Sequence, residues 1–277
     1  MNKKIGIIFA LVVVAFLVMG TASAGLFDFL GGDSASGNAT ANDESTFIVG
    51  FDAEFPPYGY KDDSGNYTGF DLDLAKEVCE RNNWTFQAQP IDWDAKDAEL
   101  DSGSIDCIWN GFTIDGREND YLWSDPYYDN KQVFIVKNGS GISSIDDLSG
   151  KTVETQKDSS ALAALQGDNK TIADKFGTLN QVADYNTALM DLESGACDAV
   201  AMDIGVAEYD IKNKNATDTF SILDQYITTE KYGVGFKKGN TDLKDQVQKT
   251  LDEMFADGTV AKIAQKYGIS EDALIHK

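Results

Sequence analysis

Residues 109–117 (WNGFTIDGR) contain the side chain of this chain best suited to hold a carboxylate. Arg117 is one of two arginines, and the other strongly basic side chains are lysines. A guanidinium group holds a carboxylate through two parallel hydrogen bonds, a geometry that a lysine ammonium cannot copy. Because Arg117 follows a Gly-containing strand end, we expect it to hold the carboxylate of a ligand. A structural ion pair with Asp115 or Glu118 is the alternative.

Two further segments offer partners for charged groups. Asp203 directly follows the apolar run AVAM, where a carboxylate is costly unless it is paired. A ligand ammonium would pair it, as would a neighbouring Lys or the N-terminus of the next helix. Ser159 and Ser160 open a predicted helix after Gln156, and free N–H groups with hydroxyls suit an anion there. An ordinary Ser N-cap is the alternative for these serines.

A fourth segment, residues 50–58 (GFDAEFPPY), is stiffened by two prolines. It presents Asp52, Phe55 and Tyr58 beside a predicted strand end, although it could also be a rigid turn whose aromatic residues cover the core. Taken together, the four segments supply holders for a carboxylate and for an ammonium group. This combination matches the zwitterion of a free α-amino acid.

Several kinds of catalytic site are not expected. The single histidine, His276, lies next to the C-terminus, which argues against Ser-His, Cys-His and His-metal catalysis. No G-x-S-x-G, P-loop or G-x-G-x-x-G motif occurs. Cys79, Cys107 and Cys197 lie in apolar segments and are predicted to be core residues, with one disulfide and one free thiol as the alternative. We therefore expect a binding protein and not an enzyme, with no cofactor and no metal.

Charge and the N-terminus indicate where the protein works. The chain has 46 acidic and 23 basic residues, so nucleic acid and anionic membrane surfaces would repel it. Residues 1–24 combine two lysines, an apolar run and Ala-Ser-Ala, which predicts an export signal and an extracytoplasmic protein. An uncleaved membrane anchor is the alternative. Residues 25–45 are rich in Gly, Ser, Asn and Asp and predict a flexible tether.

Two matching segments show how the candidate residues are positioned. Residues 93–108 and 185–200 each contain an aromatic residue, a Leu seven positions later, Ser-Gly, an Asp and an apolar run. This layout predicts a helix ended by Gly and followed by a buried strand. A further strand and helix precede each unit. Alternating strands and helices predict an α/β fold with a parallel sheet in each half, and a ligand cleft between two lobes.

Five segments together resemble the polar amino-acid-binding proteins of ABC transporters, the extracellular solute-binding proteins of family 3. This family includes the lysine/arginine/ornithine, histidine and glutamine receptors. The segments are GFDAEFPPY (50–58), GFDLDLA (69–75), DCIWNGFTI (106–114), WSDPYY (123–128) and YGVGFKK (232–238). The resemblance implies a type II, two-lobed periplasmic-binding-protein-like fold, with a mainly parallel sheet flanked by helices in each lobe. Lobe 1 would hold residues 46–134 and 230–277, lobe 2 residues 135–229, and two hinge strands would cross near 131–134 and 228–232.

The resemblance also implies roles for individual residues. Arg117 would hold the α-carboxylate of the ligand, together with Gly111, Thr113 and Ser160. Asp203 would hold the α-ammonium with the carbonyl of Gly111 and the hydroxyl of Thr113. Two features depart from the family pattern: the spacing between Thr113 and Arg117 is one residue shorter, and Asp158 stands where a glycine is usual.

The remaining implied residues concern the ligand's side chain. Phe55 and Trp93 would lie on either side of it, and its tip would be recognised by Asp52, Glu54, Asn110 and Gln156. The two acids favour a cationic or neutral polar amino acid, and the two amides would equally suit an amide.

The implied function is capture of a free polar or cationic L-amino acid by a monomer that closes its lobes. Delivery would be to the permease and ATPase subunits of an ABC transporter. An exported enzyme resembling cyclohexadienyl dehydratases and the ligand-sensing subunit of a receptor are the alternatives.

Overall fold

The computed structural model describes residues 45–276, apart from Lys214 and Asn215. The predicted export signal and nearly all of the predicted tether therefore lie outside the described residues. Within residues 45–276, no helix is long and apolar enough to cross a membrane.

Strands and helices alternate along the described chain. In chain order they are β1 (Thr46–Phe51), β2 (Glu54–Phe55), β3 (Gly59–Lys61), β4 (Tyr67–Thr68), α1 (Phe70–Asn82), β5 (Thr85–Pro90), α2 (Lys96–Ser102), β6 (Cys107–Ile108), β7 (Leu122–Trp123), β8 (Tyr128–Lys137), β9 (Thr152–Gln156), α3 (Ser160–Gln166), α4 (Lys170–Ala173), β10 (Thr178–Val182), α5 (Tyr185–Ser194), β11 (Ala199–Asp203), α6 (Ile204–Asn213), β12 (Phe220–Tyr232), β13 (Gly235–Phe236), α7 (Thr241–Ala256) and α8 (Thr259–Lys266).

Two five-stranded sheets form the two lobes. The first has the order β5–β1–β6–β13–β7, and the second has the order β10–β9–β11–β8–β12. In each sheet one strand, β13 or β8, runs opposite to the other four. The sheets are therefore mainly parallel, as predicted. A small antiparallel sheet of β2, β3 and β4 accompanies the first lobe.

The first lobe takes strands from both ends of the described chain, since β13 lies between β6 and β7. The long strands β8 and β12 pair with each other from Tyr128 opposite Tyr232 to Lys137 opposite Phe220. Tyr232 also bridges to Thr113 of the first lobe. We call β8 and β12 the hinge pair, because both predicted crossing segments lie within it.

The two matching sequence segments form matching units. Helices α2 and α5 end at Gly103 and Gly195, whose φ angles of 79° and 84° are left-handed, as a glycine C-cap requires. Leu100 and Leu192 are buried on these helices. Trp93 lies in a short 3₁₀ turn directly before α2, whereas its counterpart Tyr185 is the first residue of α5.

The hydrophobic core explains the three cysteines. Cys79, Cys107 and Cys197 are free thiols, and each is buried among apolar residues. The prediction that they are core residues is confirmed, and the alternative of a disulfide is not. Burial raises the pKa of the Cys79 and Cys197 thiols to about 12, which leaves both groups unreactive at neutral pH.

Candidate functional site

A cavity of about 300 Å³ lies where the two lobes meet. Its lining combines residues of both lobes: Asp52, Phe55, Trp93, Asn110, Gly111, Thr113, Arg117, Gln156, Ser159, Ser160, Tyr185 and Asp203. All of the predicted site residues except Glu54 line this cavity, and Tyr185 is added to them. This volume includes space that is open to solvent.

The strands explain why these residues meet. Asp52 follows the last residue of β1, and Asn110 and Gly111 lie just beyond β6. Gln156 and Asp203 are the last residues of β9 and β11. Each strand is parallel to a neighbour in its sheet, so all these residues lie at carboxyl ends, where open α/β sheets bind their ligands.

One part of the cavity is negative. Asp203 is 3% exposed, and its Oδ1 accepts hydrogen bonds from Asn130 Nδ2 (2.7 Å), Gln132 Nε2 (2.8 Å) and the Tyr232 hydroxyl (2.5 Å). Burial, and then the negative charge of Glu230, raise the pKa of Asp203 well above its ordinary value. Among the residues that the structure describes, no Lys or Arg forms an ion pair with this carboxyl group. Helix α6 begins at Ile204, directly after Asp203, and its N-terminus carries a partial positive charge.

Another part of the cavity is positive. Arg117 Nη2 donates to the backbone carbonyl of Asp158 (2.8 Å), and its guanidinium lies 5.4 Å from the centre of the Phe112 ring. Asp115, one alternative partner, instead accepts a hydrogen bond from the Lys231 backbone N–H (2.7 Å). Within the described chain, Arg117 has no carboxylate partner. Arg117 Nη1 also donates to the backbone carbonyl of Thr113 (3.4 Å).

The two serines of α3 differ in role. The Ser159 hydroxyl caps α3 by accepting from the Leu162 N–H (3.1 Å), so the ordinary N-cap interpretation holds for this residue. The Ser160 hydroxyl accepts from Gln132 Nε2 (2.8 Å) and donates to Glu230 Oε1 (3.3 Å). Both serines line the cavity, but their hydroxyls already have partners in the protein.

The residues predicted to recognise the tip of the ligand's side chain form a contact between the lobes. Gln156 Nε2 donates to Asp52 Oδ2 (2.6 Å), and Asn110 Oδ1 accepts from the Asp52 backbone N–H (2.7 Å). Burial raises the pKa of Asp52 to about 6. Asp52 is therefore ionised above about pH 6 and offers a negative charge to the ligand.

Glu54 lies outside the cavity. It shares strand β2 with Phe55, and successive side chains of a strand point to opposite faces, so the buried Phe55 leaves Glu54 exposed. The Glu54 carboxylate accepts a hydrogen bond from the Asn186 side chain, which belongs to α5 of the other lobe. The structure thus places Glu54 in a contact between the lobes.

Three aromatic residues surround the cavity. The ring of Phe55 lies 6.0 Å from that of Tyr185, centre to centre, and Trp93 Nε1 donates to the Asp158 carbonyl (3.3 Å). Sequence reasoning missed Tyr185 as a site residue. A signal was present, because Tyr185 occupies the same position in its unit as Trp93 does in the other.

Asp158 joins the two lobes. Its carboxylate pairs with Lys96, a lysine only 1% exposed, while its carbonyl accepts from Arg117 and Trp93. The backbone of Asp158 is left-handed, with φ of 54°, at the position where the family pattern has glycine. Lys157 and Asp94 form a second, half-exposed pair at 3.9 Å. No pattern in the sequence marks Lys96 as buried.

Metal ligands do not gather anywhere in the described chain: no group of three His, Cys, Asp or Glu side chains there could hold an ion. The cavity offers single charges and hydrogen-bonding groups between aromatic walls. Such a lining can bind and orient a small zwitterion.

Comparison with known proteins agrees with this geometry. Residues 47–270 match the bacterial extracellular solute-binding proteins, family 3. The chain is 30% identical to a probable histidine-binding protein of Neisseria gonorrhoeae, over 83% of this chain and 86% of that protein. It is also 30% identical to the lysine/arginine/ornithine-binding periplasmic protein of Escherichia coli K12, over 85% and 92% of the two chains.

Solved structures show the same fold. A substrate-binding protein of an ABC uptake transporter from Streptococcus pneumoniae, solved with bound histidine, superimposes with a TM-score of 0.80 at 33% identity. The match covers 83% of this chain and 95% of that one. The two-lobed α/β fold, the cavity between the lobes and the match over residues 47–270 together show that this chain belongs to the bacterial extracellular solute-binding proteins of family 3.

Proposed function

We propose that this protein captures a free polar or cationic L-amino acid between its lobes and delivers it to an ABC transporter. One observation carries the proposal. Among the described residues, Arg117 of the first lobe has no carboxylate partner and Asp203 of the second has no cationic partner, and both line one cavity. An α-amino acid supplies both missing charges in one molecule.

The pairing with Asp203 is expected to be strong because this carboxyl group is shielded from water. Asp203 is almost fully buried, and a buried carboxylate gains much from a cation that also donates hydrogen bonds. Arg117 would hold the α-carboxylate with Thr113 and Ser160, and Asp203 would hold the α-ammonium. The left-handed Gly111 lets the backbone pass close to the ligand at this point.

The ligand's side chain would lie among Phe55, Trp93 and Tyr185, with its tip near Asp52 and Gln156. Aromatic faces attract a cation, and the carboxylate of Asp52 would pair with it. The relatives that bind histidine or lysine, arginine and ornithine support this choice. Since Gln156 and Asn110 can also recognise an amide, glutamine is the second candidate.

Closure of the lobes would couple binding to delivery. A ligand that contacts both lobes stabilises the closed form, because only that form offers both sets of contacts. We propose that permease and ATPase subunits then recognise the closed monomer, with residues 46–134 and 230–277 forming one lobe and 135–229 the other. The predicted export signal would place this exchange outside the cytoplasm.

A thermal-shift screen of the twenty common L-amino acids tests the proposal. Stabilisation follows RT ln(1 + [L]/Kd), so a ligand at about one hundred times its Kd adds about 2.7 kcal/mol. We expect arginine, lysine, histidine or glutamine to give the largest shift. No shift with any amino acid, or the largest with aspartate or glutamate, would contradict the proposal.

The enzyme alternative has a separate test. Incubation of the protein with prephenate or arogenate should leave both compounds unchanged, because we propose binding and delivery without a chemical step. Formation of phenylpyruvate or phenylalanine would instead favour an exported dehydratase.

A further inference from the structure

A second acid lies behind the ammonium site. Glu230, on β12 of the hinge pair, is 4% exposed and does not line the cavity. Gln132 Nε2 donates to Asp203 Oδ1 (2.8 Å) and to Glu230 Oε1 (2.7 Å). Asn130 Nδ2 also donates to both oxygens, each at 2.7 Å. The two carboxyl groups are therefore held side by side by two shared amides.

The surroundings leave this acid pair without compensation. The remaining hydrogen-bond partners are neutral hydroxyls: Ser160 to Glu230 and Tyr232 to Asp203. The other titratable groups that face Asp203 are the phenols of Tyr58, Tyr128 and Tyr185, which are neutral at physiological pH. No ion pair reaches either carboxyl group from the chain that the structure describes, and the start of α6 supplies only a partial positive charge.

Arg117 is the cation that shares the cavity, but it is held on the carbonyl of Asp158. Lys131 lies between Asn130 and Gln132 in the sequence, and Lys231 follows Glu230. Both lysines are exposed, so they do not neutralise the buried pair. Two buried carboxylates this close together cannot both ionise at low cost, because their repulsion is weakly screened.

We propose that Asp203 and Glu230 hold one shared proton while the cavity is empty, and that the arriving α-ammonium group displaces this proton to solvent. The inference rests on the proposed function, since the ammonium group is that of the bound amino acid. Charge balance supports it. The empty pair with one proton and the fully ionised pair with one ammonium group carry the same net charge.

Two observations make the shared proton reasonable. Burial and the negative charge of Glu230 both raise the pKa of Asp203. The shared amides also fix the two groups in place, so that neither can turn to solvent to ionise. Glu230 is then a positioning residue. It acts through Asp203, the acid that contacts the ligand, by favouring the protonated form of that group.

The proposal has a defined consequence for binding. If capture releases about one proton, the association constant should fall as pH falls, by up to tenfold per pH unit. The amino acid would bind less tightly in an acidified medium. A site with one ionised carboxylate and no proton to lose would show no such dependence.

Isothermal titration calorimetry in buffers of different ionisation enthalpy counts the released protons. The probe is L-arginine or L-glutamine, whichever binds more tightly, because neither side chain titrates near neutral pH. Histidine is unsuitable, since its own imidazole would exchange protons. At about pH 6.5 we expect release of between about one half and one proton per ligand from the wild-type protein.

Two variants identify the source of the proton. Glu230→Gln keeps the shape and should reduce the release, since Asp203 then no longer faces a second carboxylate. Asp71→Asn removes another buried acid of raised pKa and should leave the release in place. Undiminished release in Glu230→Gln, or loss of release only in Asp71→Asn, would overturn the proposal.

The wild-type measurement decides the matter even if a variant fails to fold. Binding of the probe with no proton release would refute the shared proton and leave the proposed function intact. Absence of binding by every amino acid would refute the proposed function, and this inference with it.

Discussion

At the scale of single residues, the site depends on two charges that the protein leaves unmatched. Among the described residues, Arg117 donates to two backbone carbonyls, and Asp203 accepts from amides and a phenol. Proteins seldom bury charges without a partner, because desolvation costs several kcal/mol. Such groups are retained where a ligand supplies the partner.

Arg117→Ala should therefore weaken binding of the amino acid at least about tenfold, because a charge-assisted pair with the α-carboxylate is lost. Calorimetry measures the change in Kd. Arg81→Ala is the matched control, since Arg81 lies far from the cavity and pairs with Glu77 and Asp257. An unchanged Kd in Arg117→Ala would show that Arg117 does not hold the α-carboxylate.

Gly111 offers a second test at this scale. Its φ of 56° is left-handed, and an added Cβ would lie 2.8 Å from the Phe55 ring and 3.1 Å from that of Tyr232. Gly111→Ala should cost about 1–3 kcal/mol of strain and displace the ring that covers the ligand. We expect weaker binding and a lower melting temperature. Wild-type values for both would show that this position tolerates a side chain.

Most of the cavity residues could be predicted from sequence, because each follows a strand end within a recognisable segment. Arg117 and Asp203 stood out by type and by position. Glu230 and Lys96 could not be found in this way, since burial of one charged residue among many depends on tertiary packing. Glu54 was predicted at the ligand because its segment was recognised, but the alternation within β2 turns its side chain away from Phe55 and toward Asn186 of the other lobe.

At the scale of elements, the lobes are joined by the hinge pair and by contacts across the cleft. The strongest of these contacts converge on Asp158, which receives Lys96, Arg117 and Trp93 from the first lobe. We expect these contacts to break when the lobes open. We therefore expect these contacts to lower the dissociation rate of the ligand.

Asp158→Asn should raise the ligand dissociation rate about threefold to tenfold, because Lys96 would be left buried in the closed form without its carboxylate. Stopped-flow measurement of tryptophan fluorescence gives this rate. Asp94→Asn removes the half-exposed pair with Lys157 and should change the rate less than about twofold. Equal rates in both variants would contradict a role of Asp158 in closure.

The repeated helix–Gly–strand unit made the parallel parts of both sheets predictable. The antiparallel strand β13 was out of reach, because two residues leave no periodic pattern and their partners are distant in sequence. The same holds for the pairing of β8 with β12, which is set by the meeting of the two lobes. Local sequence thus predicted the units, and tertiary contacts decided how they join.

At the scale of the whole molecule, the buried acids make stability depend on pH. Asp71 is fully buried, its Oδ2 accepts from the Gly111 N–H (2.5 Å), and burial raises its pKa to about 7. The folded state thus binds this proton more tightly than the unfolded state. The resulting stabilisation is complete below about pH 4 and is lost as pH rises to about 7.

The free energy of unfolding, measured by urea titration, should accordingly fall by about 2–3 kcal/mol between about pH 5 and pH 8 through Asp71. Asp52, with a pKa raised to about 6, contributes in the same direction. Asp71→Asn should reduce the fall, because asparagine does not titrate. A variant with the wild-type pH dependence would show that Asp71 is not the group responsible.

The acidic surface and the two lobes fit a protein that meets a small zwitterion and not a polymer. Net charge of −23 repels nucleic acid, while the cavity concentrates single opposite charges inside. The match to family 3 solute-binding proteins over residues 47–270 is consistent with an acidic surface around a cavity for a small solute.

The most direct test of the central claim compares one ligand with two of its derivatives by calorimetry. L-Arginine would be measured beside agmatine, which lacks the α-carboxylate, and Nα-acetyl-L-arginine, which lacks the α-ammonium. If Arg117 and Asp203 hold these two groups, each derivative should bind at least about a hundredfold more weakly. Agmatine leaves the Arg117 guanidinium without its carboxylate, and Nα-acetyl-L-arginine leaves the buried Asp203 without its cation. Equal affinity of the amino acid and both derivatives would contradict recognition of a zwitterion in this cavity.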